Sequence, residues 1–539
     1  MGDKFDDKAI EKLMSSVDQH LGRNALKNMK KFAHMTHQTN VTSGRVETNR
    51  SMRLRTIRAA QEMKSRGIGL NDVVMICGVN HDDISVPIIG CLYLGAPVMA
   101  LSNDMMYGEV KHFVEMGKPK MLFCDPCVSA LFHQVLDDVG LKIEIVVFGE
   151  TTNERFTPFS DFQKKTGTEE DFEATDFDPA TTTSFIVFSS GTTSLPKGIC
   201  LTHRNFSSQL YLTANNKKNL DYEGGVDQVT VLIYSTTFWF SGVLALLMAA
   251  IMGYIRLYTP NAFTPEITFE AIKEYKPRVI LLTPTAVISL INHTGMENCD
   301  LSSVFAFMCA GAALAPEKLE ELQKRVPKGS VMNMYGMTET CGSICFTPKY
   351  KRNSCGLMGP WLKSRITDPN TFKEMPTNEV GELWVKSDYT LFKGYYNNPE
   401  ETAAAFGGDG WFRTGDLMKV DEDGFFFIVD RLKEIFKWRN HHIAPAELEK
   451  EIAKVPGVEQ CCVVGLPHPE EGDLALAVVE KQPGAIVTAQ QVKDIVAANL
   501  SANKQLRGGV IFVEKLPLTH SGKIDRKEVN KLKHNHVPE

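Results

Sequence analysis

An apolar leader is missing from this 539-residue chain, which opens MGDKFDDKAIEKLM and is charged from its third residue. A secretory signal needs an apolar core that this stretch lacks. Positive charge is not in excess: 59 Lys and Arg face 65 Asp and Glu, a formal charge of −6. That argues against nucleic-acid binding by bulk attraction. The twelve cysteines follow no regular spacing, which suits a reducing compartment better than a disulfide scaffold. Cys124 and Cys127 form one C-x-x-C pair with no second pair or histidine cluster beside it, too few ligands for a metal site. Cys461-Cys462 lies in an apolar run and reads as packing. No short repeat, low-complexity tract or Walker spacing G-x-x-x-x-G-K-[S/T] occurs. The carboxyl end, Val537-Pro538-Glu539, is no Ser-Lys-Leu-type peroxisomal address. The expectation is therefore an intracellular protein, cytosolic or peroxisomal by another route.

One run tests the soluble reading. Residues 236–255 (TTFWFSGVLALLMAAIMGYI) are uncharged over twenty positions, the length of a membrane span. Ser241, Gly242 and Gly253 interrupt it, and strand-like VTVLIY and IRLYTP flank it closely. A buried helix of an α/β core is expected, and no membrane span.

What is present is a large, ordinary globular composition, 43% hydrophobic and 23% charged, long enough for two or more domains. Short β-branched runs at 73–77, 143–148, 185–188, 229–233 and 279–282 have buried-strand character. Helical patterns at 109–116, 266–275 and 316–325 lie between them. This alternation predicts α/β layers with largely parallel sheets. Beyond residue 380 the texture changes to strands joined by glycine loops (GELWVK, GFFFIV). A compact α/β unit of helices at 445–454 and 489–499 and strands at 460–464, 475–480 and 510–513 then follows. The boundary is placed near Asp430, giving domains 1–430 and 431–539.

Residues 189–198 (SSGTTSLPKG) follow the strand at 185–188 and precede a helix-like stretch. Their hydroxyls, backbone N–H groups and Lys197 suit a cradle for phosphate oxygens. Farther on, Tyr335 offers a ring, and Glu339 a carboxylate of the kind that holds Mg²⁺ beside phosphates. A turn at Gly336 and a helix start at Thr338 is the structural alternative for that segment. Asp416, after a glycine turn, suits two neighbouring hydroxyls, and Lys523 is a lone cation in a glycine-containing loop.

Together these segments resemble the adenylate-forming superfamily of acyl-CoA synthetases, coumarate–CoA ligases, beetle luciferases and peptide-synthetase adenylation domains. The likeness is strongest to the insect luciferase-like acyl-CoA synthetases. FSSGTTSLPKG is similar to the family's phosphate loop, MYGMTET to its adenine and magnesium segment, and GWFRTGD to its ribose segment. VDRLKEIFKW is similar to its hinge and THSGKIDR to its C-terminal lysine loop, all in the family's order. The resemblance implies a large domain of layered α/β sheets with a β-subdomain, and a small mobile α+β lid. It implies ATP, Mg²⁺ and coenzyme A. Nucleotide contacts would come from Ser189, Ser190, Gly191, Thr192, Thr193, Lys197, Gly311, Ala312, Tyr335, Gly336, Thr338, Asp416 and Arg431, with the metal on Glu339. Lys523 would serve the adenylation half-reaction with Thr338 and Glu339, and Lys437 the thioester half. Lys433 would be the hinge, Asn440 would line the coenzyme A path, and Phe238 and Trp239 would wall the acyl group.

The implied reaction is attack of a carboxylate on the α-phosphorus of Mg·ATP, then attack of the coenzyme A thiol on the acyl carbon with release of AMP. A medium- or long-chain fatty acid is the expected substrate. Four positions depart from the family pattern. Ser194 replaces a glycine of the phosphate loop, Arg439-Asn440 replaces a Lys-Gly, His442 stands where coumarate ligases carry Gln, and Phe238-Trp239 replaces the His-His of beetle luciferases. The alternatives are a luciferase-like monooxygenase of the adenylate and a weakly active regulatory member.

Overall fold

The computed structural model describes residues 7–188, 196–216, 228–311, 314–347, 350–439, 441–519 and 522–533. Its strands form sheets of thirteen, eight and five. Two of the short apolar runs enter the parallel part of the thirteen-stranded sheet and the other three the eight-stranded one: Thr230–Ile233 and Val279–Leu282 lie beside one another in the former, with Ala306–Ala310 and then Ser330–Met337 next. Ser330–Met337 changes its pairing halfway. It runs parallel to Ala306–Ala310 through Met334, then antiparallel to Gly342–Phe346 from Tyr335. The strands on the far side of that change, including Gly381–Lys386, Phe412–Val420 and Phe425–Arg431, are antiparallel. This is the α/β architecture expected, with the β-subdomain continuous with the parallel sheet.

The eight-stranded sheet centres on Val74–Cys77, flanked in parallel by Val98–Leu101 and Met121–Cys124. All twelve residues of these three strands are buried, as expected of parallel strands covered on both faces. Arg256, fully buried, links the two large sheets by donating to Asn80 Oδ1 at 2.5 Å and Ser85 Oγ at 3.0 Å. Burial lowers its pKa to about 10, which leaves it charged at neutral pH.

The long apolar run divides as its glycines suggest. Helix Phe240–Met252 packs Val243, Leu246, Leu247, Ala250 and Ile251 into the core. A Cβ on Gly242 would lie 2.0 Å from the Thr236 carbonyl oxygen, so only glycine fits there. Gly253 ends the helix at φ 70°, and Ile255–Tyr258 follows as a strand. Thirteen helical residues span about 20 Å, short of a bilayer core. Among the described residues no helix is long and apolar enough to cross a membrane.

One local expectation is corrected. The stretch after the 189–198 loop is a strand, Gly198–Thr202, antiparallel to Thr183–Phe188. Helix His203–Asn216 begins only after it. All five residues of Gly198–Thr202 are buried, and a fully buried run between two sheet neighbours satisfies a strand more readily than a helix turn. The loop therefore connects a hairpin rather than opening onto a helix N-terminus.

The carboxyl-terminal unit is a five-stranded sheet built on the hairpin Val458–His468 with Gly472–Lys481, to which Gly509–Val513 adds in parallel. Helices Pro445–Ile452 and Ala489–Asn499 cover it. The last strand of the large sheet is Phe425–Arg431, and the first of the small one is Phe436–Trp438.

Candidate active site

Three parallel strands of the large sheet end together. Val279–Leu282 ends at Thr283, Ala306–Ala310 ends at Gly311, and Ser330–Met337 changes direction of pairing at Tyr335. The carboxyl ends of such strands are where open α/β sheets hold ligands. Gly311 adopts φ 103°, which requires glycine.

Onto these ends the small unit lowers the loop that carries Lys523. A Cβ on Gly311 would lie 3.5 Å from Lys523 Cε, and one on Gly522 would lie 3.3 Å from Thr285 Oγ1. Thr519 N–H donates to the Lys523 carbonyl at 2.7 Å, closing the loop at its base. Arg526 then anchors its far side, donating to both oxygens of Glu449 at 2.6 and 2.7 Å and pairing with Glu434 at 2.9 Å. Burial pushes the Lys523 ammonium down to about 8, and neighbouring Arg431 adds to the effect. Asp416 and Glu434 oppose it.

Asp416 lies in strand Phe412–Val420, directly across from Arg431 in the antiparallel ladder. It is buried, accepts from Tyr335 Oη at 2.7 Å and pairs with Arg431 Nε at 3.3 Å. Burial raises its pKa, against the pull of Arg431 and Tyr335. Each carboxylate oxygen has two lone pairs, so capacity for further donors remains. Tyr335 is itself buried, and its hydroxyl is the fixed donor of the pair. Gly336, the next residue, would bring a Cβ to 2.3 Å from the Gly342 carbonyl oxygen, and so the change of pairing depends on glycine. The alternative of a turn at Gly336 leading into a helix is not what forms. The strand continues to Met337, and Thr338–Thr340 is a single 3-10 turn.

That turn presents Glu339. Its Oε1 accepts from Tyr395 Oη at 3.1 Å, and burial of the carboxyl raises its pKa. A desolvated carboxylate with an oxygen left for a cation fits a Mg²⁺ ligand, because an arriving cation removes the penalty for its charge. Among the described residues no group of three His, Cys, Asp or Glu could hold a metal by itself. Glu339 would therefore share a Mg²⁺ with phosphate oxygens rather than supply a cage. Above Tyr395 stands Lys197, its ammonium 5.3 Å from the ring centroid and 2.6 Å from Glu401 Oε2.

Phe238 stacks on Phe188, the last described residue before the phosphate-loop segment, with ring centroids 6.1 Å apart. Trp239 meets Phe238 edge-on at 4.7 Å and immediately precedes helix Phe240–Met252. Lys433 is exposed in the turn between the two units. Phe436–Trp438 pairs antiparallel with His441–Ile443. Arg439, which follows Trp438, takes φ 52°, a left-handed conformation uncommon for a residue other than glycine. Ser189, Ser190, Gly191, Thr192, Thr193, Ser194, Ala312 and Asn440 lie outside the described residues, as do the side chains of Lys437 and His442.

The geometry thus brings Gly311, Tyr335, Asp416, Arg431 and Lys523 to one place, and links Glu339 to Lys197 through Tyr395. Thr283, Thr285, Tyr395, Glu401 and Glu434 were not found by sequence reasoning. Thr283-Pro284 is a helix-cap signal at a strand end and could have drawn attention to the first two. The others are recognisable only through their spatial partners.

Two family models match the chain: "AMP-binding enzyme" over residues 23–396 and "AMP-binding enzyme C-terminal domain" over residues 447–523. Luciferin 4-monooxygenase of Photuris pensylvanica is 30% identical across 89% of this chain and 88% of its own length. The 4-coumarate–CoA ligase-like 3 protein of Arabidopsis thaliana is also 30% identical, across 86% of this chain and 84% of its own length. Among solved structures, ATP-bound MatB from Rhodopseudomonas palustris superposes with a TM-score of 0.85 over 96% of this chain and 99% of that one. Its identity is 24%, so it bears on the fold alone.

Proposed function

The chain belongs to the AMP-binding, adenylate-forming enzymes, and on that premise we propose how its own residues divide the work of an AMP-forming acid–CoA ligase. A carboxylate oxygen attacks the α-phosphorus of Mg·ATP, the bond to the bridging oxygen breaks, and pyrophosphate leaves with the acyl-adenylate formed. The sulfur of coenzyme A then attacks the acyl carbon and AMP departs. The first half joins two anions, so it needs placed cations more than a general base.

The observation that carries this reading is the seating of the Lys523 loop on Gly311, Thr283 and Thr285, with Arg431 and Asp416 beside it. A lysine delivered by the small unit to the carboxyl ends of the large sheet is suited to the α-phosphate and the attacking carboxylate. Because it arrives with the lid, closure assembles the site. Asp416 takes the ribose hydroxyls, Arg431 stands beside it, and Glu339 with Thr338 would hold a Mg²⁺, whose charge would offset that of the phosphates. Lys197 binds phosphate oxygens. Lys433 is the hinge between residues 1–430 and 431–539, and rotation about it exchanges Lys523 for Lys437 in the thioester half.

The acid we assign is a medium- or long-chain fatty acid. Phe238 and Trp239 supply an aromatic wall beside the phosphate-loop strand, and such a wall suits an alkyl chain. The test is pyrophosphate release over acids of graded chain length, with and without coenzyme A. Release with acids of about eight carbons or more, and acyl-CoA formation on adding the thiol, is the expected result. Release confined to aromatic or dicarboxylic acids would remove the fatty-acid assignment. Light emission with luciferin and ATP would instead favour the oxidising alternative.

A further inference from the structure

Lys197 has a carboxylate partner whose position is hard to explain as scaffolding. Glu401 Oε2 lies 2.6 Å from its ammonium, and 204 residues of sequence separate the two. Glu401 sits on the short helix Pro399–Ala405, which buries none of its residues. That helix is fixed without the Glu401 side chain. Asn398 caps it by accepting from Glu401 N–H at 3.1 Å, and Thr402 Oγ1 ties it to the Tyr395 N–H at 2.9 Å. The Glu401 side chain is about half exposed, so the pair is wet and exchangeable rather than a buried clamp. The same ammonium stands over Tyr395, whose hydroxyl donates to Glu339.

We propose that Glu401 is a positioning residue that competes with nucleotide phosphate for Lys197. Before nucleotide binds it holds the ammonium above Tyr395, and it yields that ammonium to the arriving phosphates. It takes the ammonium back as pyrophosphate leaves. This rests on the phosphate-binding reading of Lys197. The Lys197 cation holds the Glu401 carboxyl below the usual range, and Lys433 at the hinge contributes in the same direction. Glu401 is therefore ionised throughout the neutral range and always available to compete. A phosphate group, with more charge and more oxygens than one carboxylate, wins the exchange while it is present. The cost of the exchange is paid on ATP binding and returned on pyrophosphate release.

The test measures the KM for ATP and the inhibition constant for pyrophosphate in wild type, Glu401→Gln, Lys197→Ala and the double variant. Thermal unfolding confirms that each is folded. Glu401→Gln is expected to lower both constants together by about two- to fivefold, the worth of a half-exposed ion pair. The gain shrinks at about 0.5 M salt, because screening already weakens the competitor. Glu401→Asp restores part of the wild-type values. In the Lys197→Ala background Glu401→Gln changes neither constant. Unchanged constants in Glu401→Gln beside a weakened Lys197→Ala would overturn the competition. So would a Glu401→Gln effect that persists without Lys197. If Lys197→Ala itself leaves both constants intact, the phosphate reading of Lys197 is what falls.

Discussion

Raising the pH should close the ligand-free enzyme and stop its chemistry at the same time. Both effects trace to Lys523. In solvent a lysine titrates near 10.4. Seated on Gly311 it titrates at about 8, mainly because burial disfavours the charged form. The difference corresponds to about 3 kcal/mol that the ammonium loses on closure, since each unit of pKa is worth about 1.4 kcal/mol. The sign follows from the direction of the drop. Below about 8 the lysine is protonated in both open and closed forms, and the closed form bears the full penalty. Between about 8 and 10.4 closure expels the proton and the penalty fades. Above 10.4 the lysine is neutral in both forms and nothing opposes closure from this source.

Catalysis moves the opposite way. With the role proposed for Lys523, adenylation needs the ammonium, so pyrophosphate release per enzyme at low substrate should fall about tenfold per pH unit above 8. Bound phosphate and carboxylate add negative charge beside Lys523 and raise its pKa, so the limb for kcat lies at higher pH than the limb for kcat/KM. The assay pairs steady-state pyrophosphate release from pH 6.5 to 10 with energy transfer between labels on the large and small units. Lys523→Arg separates this explanation from others. A guanidinium remains charged throughout, so the variant should be slower at every pH but without the alkaline limb. An alkaline limb that survives in Lys523→Arg, or a ligand-free enzyme that opens as pH rises, would refute the reasoning.

Three further outcomes follow from the site. Tyr335→Phe removes a 2.7 Å donor from buried Asp416, which should cost about 1–3 kcal/mol in denaturant unfolding and raise the KM for ATP; unchanged values in both would show that the pair is not coupled to nucleotide. Lys437→Ala should spare adenylate formation while lowering thioester formation, and Lys523→Ala should lose adenylate formation itself. Equal losses of pyrophosphate release in the two variants would contradict the division of labour. Trp239→Ala should shift acyl-length preference more than ATP affinity, as read from kcat/KM over a chain-length series; an unchanged profile would make Trp239 ordinary core.

Where the sequence could be read, local signals had agreed with the tertiary environment. Val279–Leu282, Pro316–Arg325, Gly381–Lys386 and Ala489–Asn499 form over the residues their periodicity indicates. Each has a single strong pattern, such as a fully apolar run or a proline at a helix start. The stretch at Gly198–Thr202 failed the same reading because a run this short carries no period. Its state was decided by Thr183–Phe188, which pairs with it in the folded sheet. The change of pairing at Tyr335 was equally hidden. It needs a strand on each side, Ala306–Ala310 and Gly342–Phe346, and a glycine whose constraint is a carbonyl oxygen six residues away.

The site divides along the same line. Residues recognisable by motif, such as Asp416, Glu339 and Lys523, were named from sequence because each sits in a short segment with its own pattern. What tunes them was not. Asp416 is held by Tyr335, 81 residues earlier, and Glu339 by Tyr395, 56 residues later. The Lys523 loop is anchored through Arg526 to Glu434 and Glu449. A motif records which group does the chemistry, whereas its pKa depends on which charges and carbonyls the fold brings near it. That is why the same Lys523 reads in the sequence only as a lone cation in a glycine-containing loop. In the folded chain burial at Gly311 and the neighbouring Arg431 push its ammonium down to about 8, against the pull of Asp416 and Glu434. Its titration is then a property of the closed interface. A substitution at Gly311 that adds bulk should therefore alter the alkaline limb of the pH profile without touching the lysine at all.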